Sequence, residues 1–334
     1  MNRHSKISIV LCTYNGEKFL HAQLESIRKQ SRQPDEIVVN DDISNDHTVK
    51  IIENFAKTVS FPVRLEVNER NLGSTKNFEK AIWRATGDII FLCDQDDIWA
   101  SHKIERIEEV FKSDNSIGLV FSNAILIDEN DKPIGRKLWD YTFPQQQRKK
   151  NMLEVLLWQN VVTGATAAFR SEFRELFSPI PTNIPNMIHD DWIALTISAA
   201  AKVVALDENL IFYRQHPEQQ LGVIRNYNQK SRKSKSYEED INFRLEEIKR
   251  LESLPSILRN YDVFYNYPMI QGTIESYIKE KQEVIEHLQA RMNLPKARFR
   301  RLMPIWQELL TGRYHRFSRG LLSAIKDLLL KEIN

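Results

Sequence analysis

Short β-branched runs alternate with longer stretches of helical periodicity through the first half of this chain, and that alternation restricts the fold to a mostly parallel sheet covered by helices. Candidate strands are Ile7 to Thr13, Glu36 to Asn40, Val63 to Val67, Ile89 to Cys93 and Gly118 to Ile127. Between them, apolar residues recur at helical spacing in Phe19 to Ile27, Val49 to Phe55, Phe78 to Trp83 and Ile104 to Phe111. A doubly wound α/β layer of this kind takes its ligand beyond the carboxyl ends of the strands. The residues there are polar and acidic: Thr13-Tyr14-Asn15-Gly16 after the first strand, Asp41-Asp42 after the second, and Asp94-Gln95-Asp96-Asp97 after the fourth.

Beyond Ile127 the pattern loosens. A turn at Glu129 to Pro133 and a Gln-rich surface loop at Pro144 to Lys150 precede a predicted helix from Met152 to Trp158 and a strand from Thr166 to Phe169. A helix from Asp190 to Ala200 and a strand from Val203 to Leu206 follow. Arg225 to Ser236 is rich in Lys, Arg, Ser and Asn and reads as a linker, and everything after it carries helical spacing. The expected organisation is a catalytic domain over 1–222, a basic polar linker over 223–240 and a helical region over 241–334.

Charge excludes one class of function. The 47 Lys and Arg nearly balance 45 Asp and Glu, so overall charge does not suit nucleic-acid binding. Cys12 and Cys93 lie inside apolar runs, as small hydrophobes in a reducing compartment would. No segment reaches the roughly 20 apolar residues of a spanning helix, and Ile7 to Cys12 is too short for a secretory signal. The expectation is a cytoplasmic protein, with a peripheral place on the inner face of the cell membrane left open.

Asp94, Asp96 and Asp97 would repel one another unless a cation neutralises them. Hard oxygen ligands suit Mg²⁺ or Mn²⁺, which bind through one or two carboxylates and the phosphates of a substrate. The competing reading is a solvated turn that caps the helix starting near Ser101.

Taken together, these motifs resemble the family 2 glycosyltransferases of GT-A fold. Ile9 to Gly16 looks like that family's opening strand and nucleotide loop, and Asp35 to Asp42, followed by Ser44, Asp46 and Thr48, looks like its second strand ending in an Asp pair. Asn71-Leu72-Gly73, Gly87-Asp88, Asp94 to Trp99, Thr163-Gly164, His189-Asp190 and Tyr213-Arg214-Gln215-His216 continue the likeness over roughly residues 5 to 222. It is closest to bacterial rhamnosyltransferase-like members that build surface polysaccharides such as O-antigen or capsule. One departure concerns the loop after the Asp pair, where Ile43 replaces the usual Gly and His47 a second small residue. A β-branched side chain does not readily take positive φ, so this loop is expected to turn differently.

The resemblance implies roles. Asp41 or Asp42 would bond the base or ribose, with Thr13, Tyr14, Asn15, Asn71, Asp94 and Gln95 lining the same nucleotide site; a helix cap competes for the Asp pair. Asp94, Asp96, Asp97 and His216 would hold the metal, although a lone His is also often structural. Lys103 or Arg214 would contact the donor phosphates or a closing loop, with a solvated helix position the plainer reading of Lys103. Asp190 aligns with the family's base and Asp191 is the reserve; at a helix N-terminus the dipole is expected to lower the carboxylate pKa. The implied reaction inverts the anomeric carbon, with a dTDP- or UDP-linked donor, rhamnose favoured, and a glycan acceptor that is lipid-linked in many such enzymes. A sugar-phosphate nucleotidyltransferase would open on a Gly-rich phosphate loop, unlike Thr13 to Gly16, and a non-catalytic sugar-nucleotide-binding module remains the third alternative.

From Ile241 onward, Arg291, Lys296, Arg298, Arg300, Arg301, Arg313, Arg316 and Arg319 interleave with Phe299, Leu302, Trp306, Leu309, Leu310, Phe317, Leu321 and Leu322. Basic amphipathic helices with aromatics suit an anionic membrane surface. Packing on the catalytic domain, or pairing in a homodimer with the arginines merely solvated, is the alternative.

Overall fold

The computed structural model describes residues 5–184, 187–219, 237–258 and 268–329. The predicted linker Arg225 to Ser236 lies outside them. The chain divides into two compact units, one of residues 1–182 and 187–226, the other of 183–186 and 227–334.

The first unit is built on strands β1 (Ile7–Thr13), β2 (Glu36–Asp41), β3 (Val63–Val67), β4 (Ile89–Cys93), β5 (Ile98–Trp99), β6 (Ile117–Ile127), β7 (Pro133–Lys137), β8 (Ala167–Arg170) and β9 (Lys202–Arg214). They form one sheet in the order β3-β2-β1-β4-β8-β6-β9-β5, with β7 beside β6. β1 runs parallel to β2 and β4, β2 to β3, and β6 to β9, while β5, β7 and β8 pair antiparallel. The mixed, mostly parallel sheet expected from the alternation is therefore present.

Helices α1 (Leu20–Arg28), α2 (Thr48–Ala56), α3 (Ser74–Arg84), α4 (Lys103–Ser113), α5 (Trp139–Thr142), α6 (Met152–Trp158), α7 (Arg174–Phe177) and α8 (His189–Ala200) fill the connections. α3 packs on β1 and β2, and α4 and α8 on β6. Sheet burial explains why β1 and β4 read as unbroken apolar runs: strands covered on both faces have no solvent side on which to alternate. The edge strand β3 differs, with Arg64 and Glu66 in its middle and partial exposure along its length.

The largest departure from the predicted elements is β9. The sequence predicts a strand ending at Leu206, because Asp207-Glu208-Asn209 interrupts the apolar pattern. The strand instead continues to Arg214, since Asp207 pairs with Arg148 and Glu208 with Arg106, which leaves the backbone free to follow β6 through a register shift. β7 was legible only as a turn, and all five of its residues are exposed. Both cysteines are free and buried, and Cys93 Sγ accepts from Gln23 Nε2.

The second unit contains α9 (Tyr237–Leu258), α10 (Pro268–Met292), α11 (Leu302–Leu310), α12 (Arg313–Phe317) and α13 (Leu321–Leu329). α9 and α10 pack through Ile241, Ile248, Ile285 and Leu288, and the three short helices gather around Leu294, Ile305, Tyr314 and Ala324. Buried polar residues tie them: His287 sits between Glu308 and Ser318, while Asp327 receives Arg291 and the Tyr314 hydroxyl. Among the described residues, no helix is long and apolar enough to cross a membrane.

Gly87 sits where β4 begins, and a Cβ there would come within 2.6 Å of the Ser8 nitrogen and 2.8 Å of the Lys6 oxygen. Both neighbours are backbone atoms of the strand region and have little room to move. Gly87→Ala is expected to destabilise the first unit by about 1 to 3 kcal/mol, read as an earlier unfolding transition in urea; an unchanged midpoint would show that this strand end yields.

Candidate active site

The polar residues after β1, β2 and β4 interlock rather than standing separately. Asp41 is fully buried and accepts from the Thr13 hydroxyl and from both the backbone N–H and the hydroxyl of Ser44. Asn15 bridges the same two loops, its N–H donating to Ser44 Oγ and its Oδ1 accepting the Asn45 N–H. Asp42, also buried, takes the N–H groups of Leu72 and Gly73 at 2.8 and 2.9 Å and the amide of Asn68. Gly73 is at φ +75, and Asn71 accepts the Gly73 N–H through its side chain. The Asp pair, expected at the base or ribose, thus has its oxygens engaged within the chain, where they set the shape of the loops at Ser44 and Gly73.

Ile43 overturns one expectation. It takes φ +62, so the loop keeps the left-handed turn that Gly would make and the β-branched residue bears the strain. Its neighbours explain why: Asp42 is held from one side by Leu72 and Gly73, and Ser44 from the other by Asp41, so the backbone between them has no other path. The Ile43 side chain is 44% exposed, beside the half-exposed Tyr14 and Asn15 loop.

Gln95 clamps the backbone of Tyr14, accepting its N–H at 2.9 Å and donating to its carbonyl at 3.0 Å. A side chain on Gly16 would collide with this amide at 2.3 Å, which accounts for glycine there. The three carboxylates around Gln95 then diverge in role. Asp94 is half-buried and its carboxyl makes no hydrogen bond or ion pair among the described residues; burial and the charges of Asp96 and Asp190 push it up to about 7. Asp96 lies 2.9 Å from His216 Nε2. Asp97 is buried and accepts the Arg214 backbone N–H, and its second oxygen is enclosed with no hydrogen-bond partner. Burial and the charges of Asp96 and Asp94 hold Asp97 well above the usual carboxylate range.

The donor set therefore fits a divalent cation bound by few protein ligands. Among the described residues no group of three or more His, Cys, Asp or Glu side chains is arranged to hold a metal unaided. Asp96 and His216, with the open carboxyl of Asp94 nearby, match instead a hard cation completed by substrate oxygens. Asp97, expected as a ligand, spends Oδ1 on the Arg214 N–H of β9, while its enclosed Oδ2 meets no donor among the described residues and stays available to the expected cation.

Two further expectations change. Lys103 is wholly buried, not solvated: its ammonium donates to the Ala165 carbonyl at 2.7 Å and lies 3.6 Å above the Trp99 ring. Burial lowers it to about 7, against the opposing pull of Cys93, Asp97 and Asp94. Arg214 is equally buried, its guanidinium bonded to the carbonyls of Asp96 and Asp128 and to the Asp131 carboxylate, above the Phe19 ring. Neither cation stands free for a phosphate; both tie the acidic segment to its surroundings.

Asp190 lies in the first turn of α8 and meets the turn at Gly164. Its Oδ2 accepts the Gly164 N–H at 2.9 Å, and its Oδ1 accepts from Asn160 and from the Asp191 N–H. A Cβ on Gly164 would lie 3.2 Å from His189 Nε2 and 3.5 Å from Asp190 Oδ2, so the glycine lets this close approach occur. The expected lowering of the Asp190 pKa by the helix terminus is overturned: burial and the neighbouring Asp191 charge outweigh the backbone donors and push it up to about 7. Asp191 is more deeply enclosed. His189 stacks on Phe78 at 4.1 Å, and burial drops it to about 3, leaving a neutral imidazole. Asn160 was not foreseen; a polar residue between the apolar runs Val155 to Leu157 and Val161-Val162 was its only signal.

Comparison with known proteins places the family and the fold. Residues 8–178 match the family described as Glycosyl transferase family 2, and this chain belongs to that family. It is similar to an uncharacterized glycosyltransferase of Nostoc sp., 29% identical over 217 residues that span 63% of this chain and 65% of the relative. It is also 32% identical over 126 residues, 37% of this chain and 47% of the relative, to the Escherichia coli UDP-Glc:alpha-D-GlcNAc-diphosphoundecaprenol beta-1,3-glucosyltransferase WfgD. The chain thus spans less than two thirds of the length of either relative. In fold it resembles S. aureus TarS 1-349 in complex with UDP, with TM-score 0.55 and 18% identity over 85% of this chain and 91% of that one. It also resembles the mannosyltransferase PcManGT of Pyrobaculum calidifontis in complex with GDP-Man and Mn2+, with TM-score 0.52 and 16% identity over 99% and 88% of the two chains.

Relieving the backbone at Ile43 tests the loop. Ile43→Gly is expected to stabilise the protein by roughly 0.5 to 1 kcal/mol, since the left-handed cost exceeds the added freedom of the unfolded glycine. Thermal unfolding would show it as a raised Tm; a fall would mean that contacts of the isoleucine outweigh the strain.

Proposed function

We propose that this chain is an inverting glycosyltransferase, which moves a sugar from a nucleoside-diphosphate donor to a hydroxyl of a glycan acceptor. The observation that carries this reading is Asp190, a carboxylate raised to about 7 and aimed by Gly164, Asn160 and the Asp191 backbone, whose charge also reaches Asp94. A base and an open acidic ligand group thus share one electrostatic site.

In this reading Asp190 takes the proton of the acceptor hydroxyl, whose oxygen bonds to the anomeric carbon as the bond from that carbon to the diphosphate oxygen breaks. The nucleoside diphosphate leaves with the electron pair. Asp96 and His216, with Asp94, would hold a Mg²⁺ or Mn²⁺ ion; when bound, such an ion offsets the charge that develops on the leaving diphosphate. Lys103 acts through the Ala165 carbonyl, next to the Gly164 N–H that holds Asp190, and so keeps the base in place. The loops fixed by Asp41 and Asp42 receive the nucleotide beside Tyr14, Asn15 and Ile43. Asp191 is the alternative candidate for the base.

The rhamnosyl donor and a place in bacterial surface polysaccharide synthesis rest on motif resemblance. A UDP-linked donor is favoured by the name of the Escherichia coli relative and by the UDP in the TarS complex, and a cation by the Mn2+ in the PcManGT complex. Calorimetric titration with dTDP-rhamnose, UDP-glucose and UDP-galactose, each with Mn²⁺ and with EDTA, distinguishes them. One donor is expected to bind only with metal; metal-independent binding would remove Asp96 and His216 from the reading.

Asp190→Asn is expected to lower turnover by about 10²- to 10⁴-fold while leaving donor affinity near normal. Because the base must be ionised and its folded pKa is raised, the wild-type rate should climb as pH rises through about 7 and level off above it. A flat profile between pH 5 and 9, or full activity in the Asn variant, would exclude Asp190 as the base.

A further inference from the structure

The second unit leaves one face of its short helices uncovered. α11 turns Ile305 and Glu308 toward the shared core, and α13 does the same with Ala324 and Asp327. On the flank beside that core, α11 presents Leu302, Met303, Trp306 and Leu310, all 58% to 72% exposed. α13 repeats the spacing with Leu321, Leu322, Ile325 and Leu329 at 53% to 71%. Positions i, i+1, i+4 and i+8 fall on one side of a helix, so each helix bears a solvent-facing apolar stripe. Burial in the fold does not account for either stripe, and two such stripes make a larger apolar surface than scattered exposed residues do.

The charges around the stripes identify what they meet. Between Leu294 and Leu329 the acidic residues are Glu308 and Asp327, and both are buried. Part of the positive charge is consumed internally: Arg301 bonds the carbonyls of Pro295, Lys296 and Asp327, Arg313 pairs with Glu308 and Glu286, and Arg316 with Glu283. Lys296, Arg298, Arg300, Arg319 and Lys326 remain exposed with no carboxylate partner among the described residues. The exposed charges of the segment from Leu294 to Leu329, other than those paired with Glu283 and Glu286, are thus cationic.

We propose that this face docks on an anionic lipid bilayer, with Trp306 and the leucines entering the headgroup boundary and the five unpaired cations meeting lipid phosphates. A second copy of the chain is a poorer occupant. An isologous contact would set the same cations against one another, and Glu308 and Asp327, the carboxylates between Leu294 and Leu329, are buried and cannot offset them. A nine-residue helix is too short to span the bilayer and suits a position along its surface. This inference is independent of the proposed reaction.

The test is co-sedimentation of the full chain with vesicles of phosphatidylglycerol and phosphatidylcholine in equal parts, and with vesicles of phosphatidylcholine alone, together with analytical ultracentrifugation without lipid. Binding is expected to the anionic vesicles only, to weaken between about 0.1 and 0.5 M salt, and to fall at least about tenfold in Trp306→Gln/Leu322→Gln with an unchanged thermal transition. Arg298→Ala/Arg300→Ala should weaken anionic binding and leave the fold intact. Equal binding to both vesicles, or undiminished binding by both double variants, would overturn the proposal. So would a lipid-free dimer that Trp306→Gln splits, because it would assign the face to a second copy.

Discussion

A carboxylate taken out of water at the end of a parallel strand costs free energy unless donors or a cation meet it, and this chain gathers six of them, Asp41, Asp42, Asp94, Asp96, Asp97 and Asp190, around one sheet edge. Much of the local architecture answers that constraint. Asp41 and Asp42 are met by backbone N–H groups and hydroxyls, and the cost of placing them there is what shapes the loops at Ser44 and Gly73. Asp97 is met by one backbone N–H from β9 and by the field of Lys103. Among the described residues the Asp94 carboxyl is left open, and the Asp96 carboxyl meets the His216 ring. The unmet part of the constraint is where the proposed cation would bind.

The two buried cations follow from the same demand. Lys103 and Arg214 are costly to bury, yet each lies where carboxylates and carbonyls crowd, and each uses its donors on backbone oxygens of the segments that carry the chemistry. Arg214 reaches Asp96 and Asp97 because β9 runs beyond Leu206, where the apolar pattern that suggests it stops, to Arg214, and β5 pairs with that extension at Ile211 and Phe212. Extending the strand and closing the site are therefore one event in the fold. The opposite balance holds in the second unit, where His287, Glu308, Arg291 and Asp327 are satisfied inward and the apolar stripes face out.

Much of this was legible before any coordinates. Fully buried strands β1 and β4 announce themselves as apolar runs, and the acidic residues after β2 and β4 sit where a parallel sheet takes its ligand. The roles were less legible than the positions. Lys103 reads as a solvated helix residue because its neighbours Glu105 and Arg106 are surface residues, and nothing local signals that its turn faces Trp99 and Ala165. Asn160 is marked only by its place as a polar residue between two apolar runs, which says nothing of its partner Asp190. Ile43 illustrates the reverse: local sterics oppose a left-handed turn, and tertiary hydrogen bonds on both sides impose it.

The sequence by itself determined the alternation of strands and helices, hence the parallel sheet and the acidic cluster at its carboxyl edge, because those depend on side-chain periodicity and short-range geometry. Only the tertiary structure decided which carboxylates are supports and which are open, that the Asp190 pKa is raised where its helix terminus alone would lower it, and which arginines of the helical unit are left for a surface. Each of these depends on partners distant in sequence, and on a burial that makes a charge's surroundings matter more than its place along the chain.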